Sequence, residues 1–223
     1  MISEKLDAAI REVPNFPKAG INFKDITTLL LNPELSSDIV DAFIVELSYL
    51  KIDAIVGVES RGFLFGFLLA NKMGIPFIPI RKVGKLPGET LKYKYELEYG
   101  SAEVEVHKSD IKQGWNVLVH DDLLATGGTA CAASELIQQL GAKVAGFSFV
   151  VSLDFLNGKE ILKQYSKNII SLNLEYNHEA SMAFATDRSS SILKALQHPV
   201  SRWRRYQRFD PGSSSEAYGG VCL

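Results

Sequence analysis

The feature that most narrows the fold of this chain is a series of near-continuous apolar runs separated by segments of helical length. IDAIVGV (52–58), IPFIPI (75–80), WNVLVH (115–120) and KVAGFSFVVS (143–152) lack the strict alternation of a half-wetted strand. Runs of this kind are expected where a strand is covered on both faces. Between them, GFLFGFLLANKMG (62–74) and TACAASELIQQLG (129–141) have helical length and end at glycine. GKEILKQYS (158–166) reads as a short helix and NIISLNLEY (168–176) as a last strand. Strand–helix–strand units with short connections specify an α/β fold, a parallel central sheet with flanking helices. Ligands of such sheets sit outside the carboxyl ends of the strands. Chemistry-bearing residues are therefore expected directly after the apolar runs.

The remaining segments read differently. Residues 3–13 carry apolar side chains at 6, 9, 10 and 13, a helical face that Pro14 stops. Residues 14–24 read as a loop, and 38–50 as a second amphipathic helix. YKYELEYGSAEVEVHK (93–108) alternates charged and apolar residues about Tyr99–Gly100, which indicates a hairpin with one wet face and outward-pointing glutamates. Past residue 176 the apolar phase is lost. Residues 177–223 carry SSS twice, the basic stretch SRWRRYQR (201–208) and PGSSSEAYGG, and are expected to form a partly disordered extension of the 1–176 domain.

Charge and cysteine content exclude several classes. The 223 residues hold 24 Lys+Arg against 26 Asp+Glu, a net charge of -2. That balance argues against a protein whose main task is coating nucleic acid or an anionic membrane. The only cysteines, Cys131 and Cys222, make neither a disulfide framework nor a thiolate metal cluster. The N-terminus lacks a secretory apolar core, and the apolar runs are too short to span a bilayer. A soluble cytoplasmic protein with no membrane or nucleic-acid partner is expected.

The sharpest motif is VLVHDDLLATGGT (117–129). An apolar strand delivers Asp121 and Asp122 into a loop, and Ala125, Thr126, Gly127, Gly128 and Thr129 then open a helix. The glycines permit close backbone approach, so successive N–H groups can cradle a phosphate. The helix N-terminus adds partial positive charge, and the threonines add hydroxyl donors. The two acids suit ribose hydroxyls or the water shell of Mg²⁺. The string is neither a Walker A sequence nor a GxGxxG fingerprint. Two further strand ends carry cations: Ser60 and Arg61 after the first run, and Arg81, Lys82 and Lys85 after the second. Guanidinium groups fork well onto phosphate oxygens, and clustered cations suit a diphosphate.

The chain resembles the type I phosphoribosyltransferases, and within them the adenine phosphoribosyltransferase family. VESRGFLFG (58–66), IRKVGKLPGET (80–90), LEYG (97–100), DDLLATGGT (121–129) and FPKAGINFKDIT (16–27) stand in that family's order and spacing. The resemblance covers about residues 3–176. It implies the type I fold, with a small N-terminal hood region and a β-hairpin lid over about 82–100. It further implies transfer of a phosphoribosyl group from 5-phosphoribosyl 1-diphosphate to adenine, giving AMP and diphosphate in purine salvage, with Mg²⁺ bound through the substrate. The residues implied are Glu98 as general acid/base at the purine with Tyr99 beside it on the lid. Ser60, Arg61, Arg81, Lys82 and Lys85 would bind diphosphate, and 121–122 with 125–129 the ribose 5-phosphate. Asn22, Phe23, Lys24 and Leu123 would bind adenine; Phe23 reads equally as plain core. A homodimer, with helix 62–71 helping to form its interface, is also implied. The family often holds a non-proline cis peptide near Ser60.

His120 stands where the family usually has Val or Ile. It reads as a strand-end histidine satisfied by a neighbour or, beside two acids, as a metal or acid–base site. Cys131 reads as a small buried helix residue, although a helix N-terminus can lower a thiol pKa. Two alternative functions remain open on the sequence: transfer to an oxopurine, and a nucleotide-sensing regulator using the basic tail.

Overall fold

The computed structural model describes residues 1–15, 22–96 and 101–173. The apolar runs become strands β3 (Ala54–Val58), β4 (Phe77–Lys82), β7 (Asn116–Leu124) and β8 (Lys143–Ser152). With the hairpin β5 (Thr90–Glu96) and β6 (Ser101–His107), and with β9 (Ile169–Ser171), they form one seven-stranded sheet in the order β5-β6-β4-β3-β7-β8-β9. Strands β4, β3, β7, β8 and β9 run parallel, and the hairpin joins antiparallel through β6.

Both faces of the central strands are covered, as their unbroken apolar runs require. Ala54, Val56 and Val58 of β3 pack with Val117 and Val119 of β7 and with Ala133, Leu136 and Ile137 of helix α4 (Gly128–Gln139). The opposite face sends Ile55 and Leu118 against Ile39 and Phe43 of α2 (Pro33–Leu47) and Phe65 and Leu69 of α3 (Gly62–Met73). Each such Val, Leu, Ile or Phe side chain contributes about 1.5–3 kcal/mol of burial free energy. Gly74 closes α3 at φ 68°, the left-handed cap anticipated from the glycine stop. Among the described residues no helix is long and apolar enough to cross a membrane.

Four expectations need correction. The first helix, α1 (Ile2–Ala9), stops before residue 13, and β1 (Arg11–Pro14) pairs antiparallel with β2 (Asn22–Asp25), part of the expected loop. Here strand pairing outcompetes helical periodicity, and Arg11 Nη2 seals the register 2.6 Å from Asp25 Oδ2. Helix α2 starts at Pro33 rather than 38, because Asn32 Oδ1 accepts the Leu35 N–H at 3.0 Å and proline is preset for a first helical turn. Strand β7 runs through Asp121 and Asp122 to Leu124, since β8 extends alongside and pairs Asp121 with Phe149 and Leu124 with Ser152. The two acids therefore belong to the strand, not to a loop. Finally, Glu105 of β6 is 1% exposed and does not point into solvent. The extension 177–223, including Cys222, lies outside the described residues.

Candidate active site

The connections from β3 through α3 to β4 and from β7 through α4 to β8 diverge, while β3 and β7 are hydrogen-bonded neighbours. This is a topological switch point, the place outside the carboxyl ends of the strands where such sheets bind their ligands. The chain carries its predicted phosphate-binding residues to that edge.

Ser60 and Arg61 lie between β3 and α3, and the Glu59–Ser60 peptide is cis. Arg61 Nε sits 2.8 Å from Asp122 Oδ2. Asp122 is 2% exposed, so its carboxylate needs this countercharge. The contact is an ion pair outside good hydrogen-bond alignment, and Oδ2 has no hydrogen-bond donor among the described residues. Asp121 Oδ1 accepts the N–H of Asp122 at 2.9 Å. Burial first, and the Asp122 carboxylate second, push the Asp121 carboxyl well above its ordinary range. Gly62 makes this assembly possible: a Cβ there would lie 2.9 Å from His120 O and 3.0 Å from Asp121 Oδ1. Only glycine lets α3 abut the end of β7 so closely.

Arg81 and Lys82 are the last two residues of β4, and Lys85 stands in the turn that follows. Glu59 organises them, accepting Lys82 N–H at 2.8 Å and lying 3.3 Å from both Nε and Nη2 of Arg81. Burial raises the Glu59 carboxyl, but the Lys82 N–H and the Arg81 guanidinium outweigh it and hold the group below its ordinary range. Arg81 Nη1 also donates to Lys85 O at 3.3 Å.

The Ala125–Thr126–Gly127 turn leads into α4, whose cap Gly127 adopts φ 84°. An L side chain is strained there, so glycine sets the turn that exposes the first N–H groups of α4. The underside of the turn rests on Gly158, where a Cβ would meet Ala125 O at 2.2 Å. From the hairpin, Tyr95 donates its hydroxyl to Thr129 Oγ1 at 3.3 Å.

His120 is fully buried, with Nδ1 2.9 Å from Ser148 Oγ and its ring edge-on to Phe43 at 5.5 Å. Its Nε2 has no partner among the described residues, and burial lowers its pKa to about 3. The neighbour reading holds at Nδ1 alone, and with its pKa lowered by burial this is a neutral packing histidine. Burial pushes the Cys131 thiol up to about 12, so the helix N-terminus does not activate it.

The structure thus gathers Ser60, Arg61, Arg81, Lys82, Asp121, Asp122 and the 125–129 turn at the ends of three adjacent strands. Leu123 sits in β7, partly buried against the α2–α3 side of the core. Asn22, Phe23 and Lys24 lie in β2, opposite Pro14, Val13 and Glu12 in the separate two-stranded sheet. Glu98 and Tyr99 lie outside the described residues. Among those described, no group of three or more His, Cys, Asp or Glu is placed to hold a metal ion. Sequence reasoning missed Glu105, Tyr95 and Gly158. Only the glycine carried a signal, as it opens a short helix directly after Asn157, which itself has φ 54°.

The family described as "Phosphoribosyl transferase domain" matches residues 27–181. The adenine phosphoribosyltransferase of Alkaliphilus metalliredigens is 53% identical over 161 residues, covering 72% of this chain and 95% of that protein. The crystal structure of the Saccharomyces cerevisiae adenine phosphoribosyltransferase, complexed with an imino-altritol bisphosphate and adenine, superposes with TM-score 0.71 at 45% identity, over 76% of this chain and 97% of that one. The Thermoanaerobacter pseudethanolicus adenine phosphoribosyltransferase gives TM-score 0.74 at 45% identity, over 78% and 99% respectively. The cations and the glycine turn gathered at the switch point, together with this degree of similarity, lead to one assignment: the chain belongs to the adenine phosphoribosyltransferase family.

Proposed function

We propose that this chain converts adenine and 5-phosphoribosyl 1-diphosphate to AMP and diphosphate. The observation that carries the reading is the meeting of three phosphate-directed elements at neighbouring strand ends: Arg61 with Asp122, the Arg81–Lys85 segment, and the Gly127 turn. The ribose 5-phosphate takes the 125–129 turn, where free helix N–H groups meet it, with Asp121 and Asp122 near the ribose. The diphosphate faces Ser60, Arg61, Arg81, Lys82 and Lys85. Adenine binds between Phe23 and Leu123, read by backbone groups around Asn22 and Lys24. In support, among the described residues β2 pairs with β1 alone, which suits backbone pairing of its other edge with a base.

In the forward direction the C1′–oxygen bond to diphosphate breaks, the C1′–N9 bond forms through the N9 lone pair of the N7–H tautomer of adenine, and the base gives up its N7 proton. Glu98 serves as general acid/base at purine N7 under the lid of residues 82–100, with Tyr99 beside it. A closed lid keeps water from the oxocarbenium-like sugar. Asp121, beside Asp122 and under the influence of Arg61, suits the water shell of a Mg²⁺ carried by the substrate. When bound with the substrate, Mg²⁺ would supply charge neutralisation of the diphosphate and so a better leaving group.

The transferase domain is assigned to residues 1–176 and the setting to the cytoplasm. Helix α3 is assigned to a homodimer interface, since Leu64, Phe67 and Leu68 expose an apolar stripe at helical spacing. Sedimentation of Phe67→Glu against wild type tests this, with a shift from dimer to monomer expected. The activity itself is tested by AMP formation from adenine, with hypoxanthine, guanine and xanthine in parallel and with Mg²⁺ present or chelated. Mg²⁺-dependent turnover of adenine is expected. Turnover of an oxopurine without turnover of adenine would overturn the assignment.

A further inference from the structure

Glu105 is a buried carboxylate that the phosphoribosyl-transfer chemistry does not use directly. At 1% exposed, within β6, it stands on the charged phase of an alternating strand, a position expected to face water, and is buried instead. Such a charge persists only when donors surround it. The donors come almost entirely from one segment, the turn between β4 and β5. Glu105 Oε1 accepts the N–H of Lys85 at 2.9 Å and of Leu86 at 3.0 Å, while Oε2 accepts the Thr90 hydroxyl at 3.0 Å. Burial works to raise the carboxyl pKa. The N–H of Leu86, the Thr90 hydroxyl and the N–H groups of Lys85 and Gly84 outweigh it and hold the group ionised, below its ordinary range.

The geometry around Lys85 is two-sided. Its N–H is held by Glu105 and its C=O by Arg81 Nη1 at 3.3 Å, and Arg81 is in turn held by Glu59. The backbone of Lys85 is therefore fixed through both of its polar groups, while the side chain is exposed. A turn containing Gly84 and Gly88, both at positive φ, would otherwise sample many conformations. A fixed backbone delivers a flexible ammonium group to one place with less entropy left to lose on binding.

We propose that Glu105 is a positioning residue that presents Lys85 to the diphosphate of the sugar substrate. It touches no reacting atom and acts through the turn. This rests on the assignment of Lys85 to the diphosphate. Wild-type turnover of adenine tests that reading separately from the variants below.

The experiment is a double-mutant cycle in the full chain, with Glu105→Ala, Glu105→Gln and Lys85→Ala, singly and combined. Initial rates of AMP formation give kcat and KM for 5-phosphoribosyl 1-diphosphate, and calorimetry gives binding of the same compound. Glu105→Ala is expected to raise KM about tenfold with kcat changed less than about threefold. In the Lys85→Ala background the same change should raise KM less than about twofold. Glu105→Gln keeps one good acceptor for the two N–H groups, so an intermediate rise of about threefold, again dependent on Lys85, is expected. If Glu105→Ala does not fold, the Gln variant carries the test. An equal rise in KM with and without Lys85, or a fall in kcat with KM unchanged, would overturn the proposal.

Discussion

Arg61 and Asp122 face each other across the β3–β7 boundary, with Nε 2.8 Å from a carboxylate that is almost wholly buried. The pair joins the predicted diphosphate and ribose subsites, so neither residue can be changed without altering the other. The Arg61 side chain is 39% exposed, and water partly replaces a lost partner there. Asp122→Asn should therefore destabilise the fold by about 2 kcal/mol, less than for a fully buried pair. It should also raise KM for 5-phosphoribosyl 1-diphosphate about tenfold, because Arg61 loses its orientation. Urea denaturation and initial-rate kinetics measure the two effects. Wild-type values in both would show that the pair holds nothing in place.

The phosphate turn depends on a left-handed backbone at Gly127, φ 84°. Gly127→Ala should cost about 1–2 kcal/mol from the conformation alone. The new methyl would also press on Gly158 O, 3.1 Å from an ideal Cβ. Calorimetric binding of AMP should weaken by at least tenfold, since relief of the strain misaligns the N–H groups of α4.

His120 gives stability a pH dependence whose sign follows from its burial. Its folded pKa is about 3 against an ordinary 6.5, so between those values the unfolded chain binds a proton that the folded chain refuses. Stability is complete above pH 6.5 and falls as pH drops through that window, by about 1.4 kcal/mol per pH unit. His120→Val removes this term. Urea midpoints of the variant between pH 6.5 and 4.5 should fall less steeply than those of wild type, with turnover at pH 7.5 within about twofold. Parallel midpoint curves would show that His120 is not the group responsible.

Glu98→Gln removes the proposed proton-transferring carboxylate while keeping its shape. A fall in kcat of about 10²–10⁴ is expected, the usual range for a general acid/base. Calorimetric affinity for 5-phosphoribosyl 1-diphosphate should stay within about threefold. Turnover near wild type would take Glu98 out of the chemistry.

IDAIVGV and WNVLVH were legible as doubly covered strands because burial on both faces removes alternation, and both lie at the sheet centre. Arg61, Arg81 and the 125–129 turn were legible because the connection rule of parallel sheets puts strand-end loops at one edge. Residues 11–14 were misread because a four-residue strand at the end of a helical pattern has too little period to announce itself. Glu105 was misread for a different reason: an alternating hairpin looks the same whether its charged positions face water or a turn folded back over them.

By itself the sequence determined the layers, the succession of strands and helices and the residue types available to phosphate, since these follow from periodicity and local backbone preference. Only the tertiary structure decided which charges meet. Arg61 is paired with Asp122 across 61 residues of chain, Glu105 is wrapped by the Lys85 turn, and His120 is sealed against Phe43 with a lowered pKa. Those outcomes depend on distance and desolvation between segments remote in the chain, and neither quantity is written in local spacing.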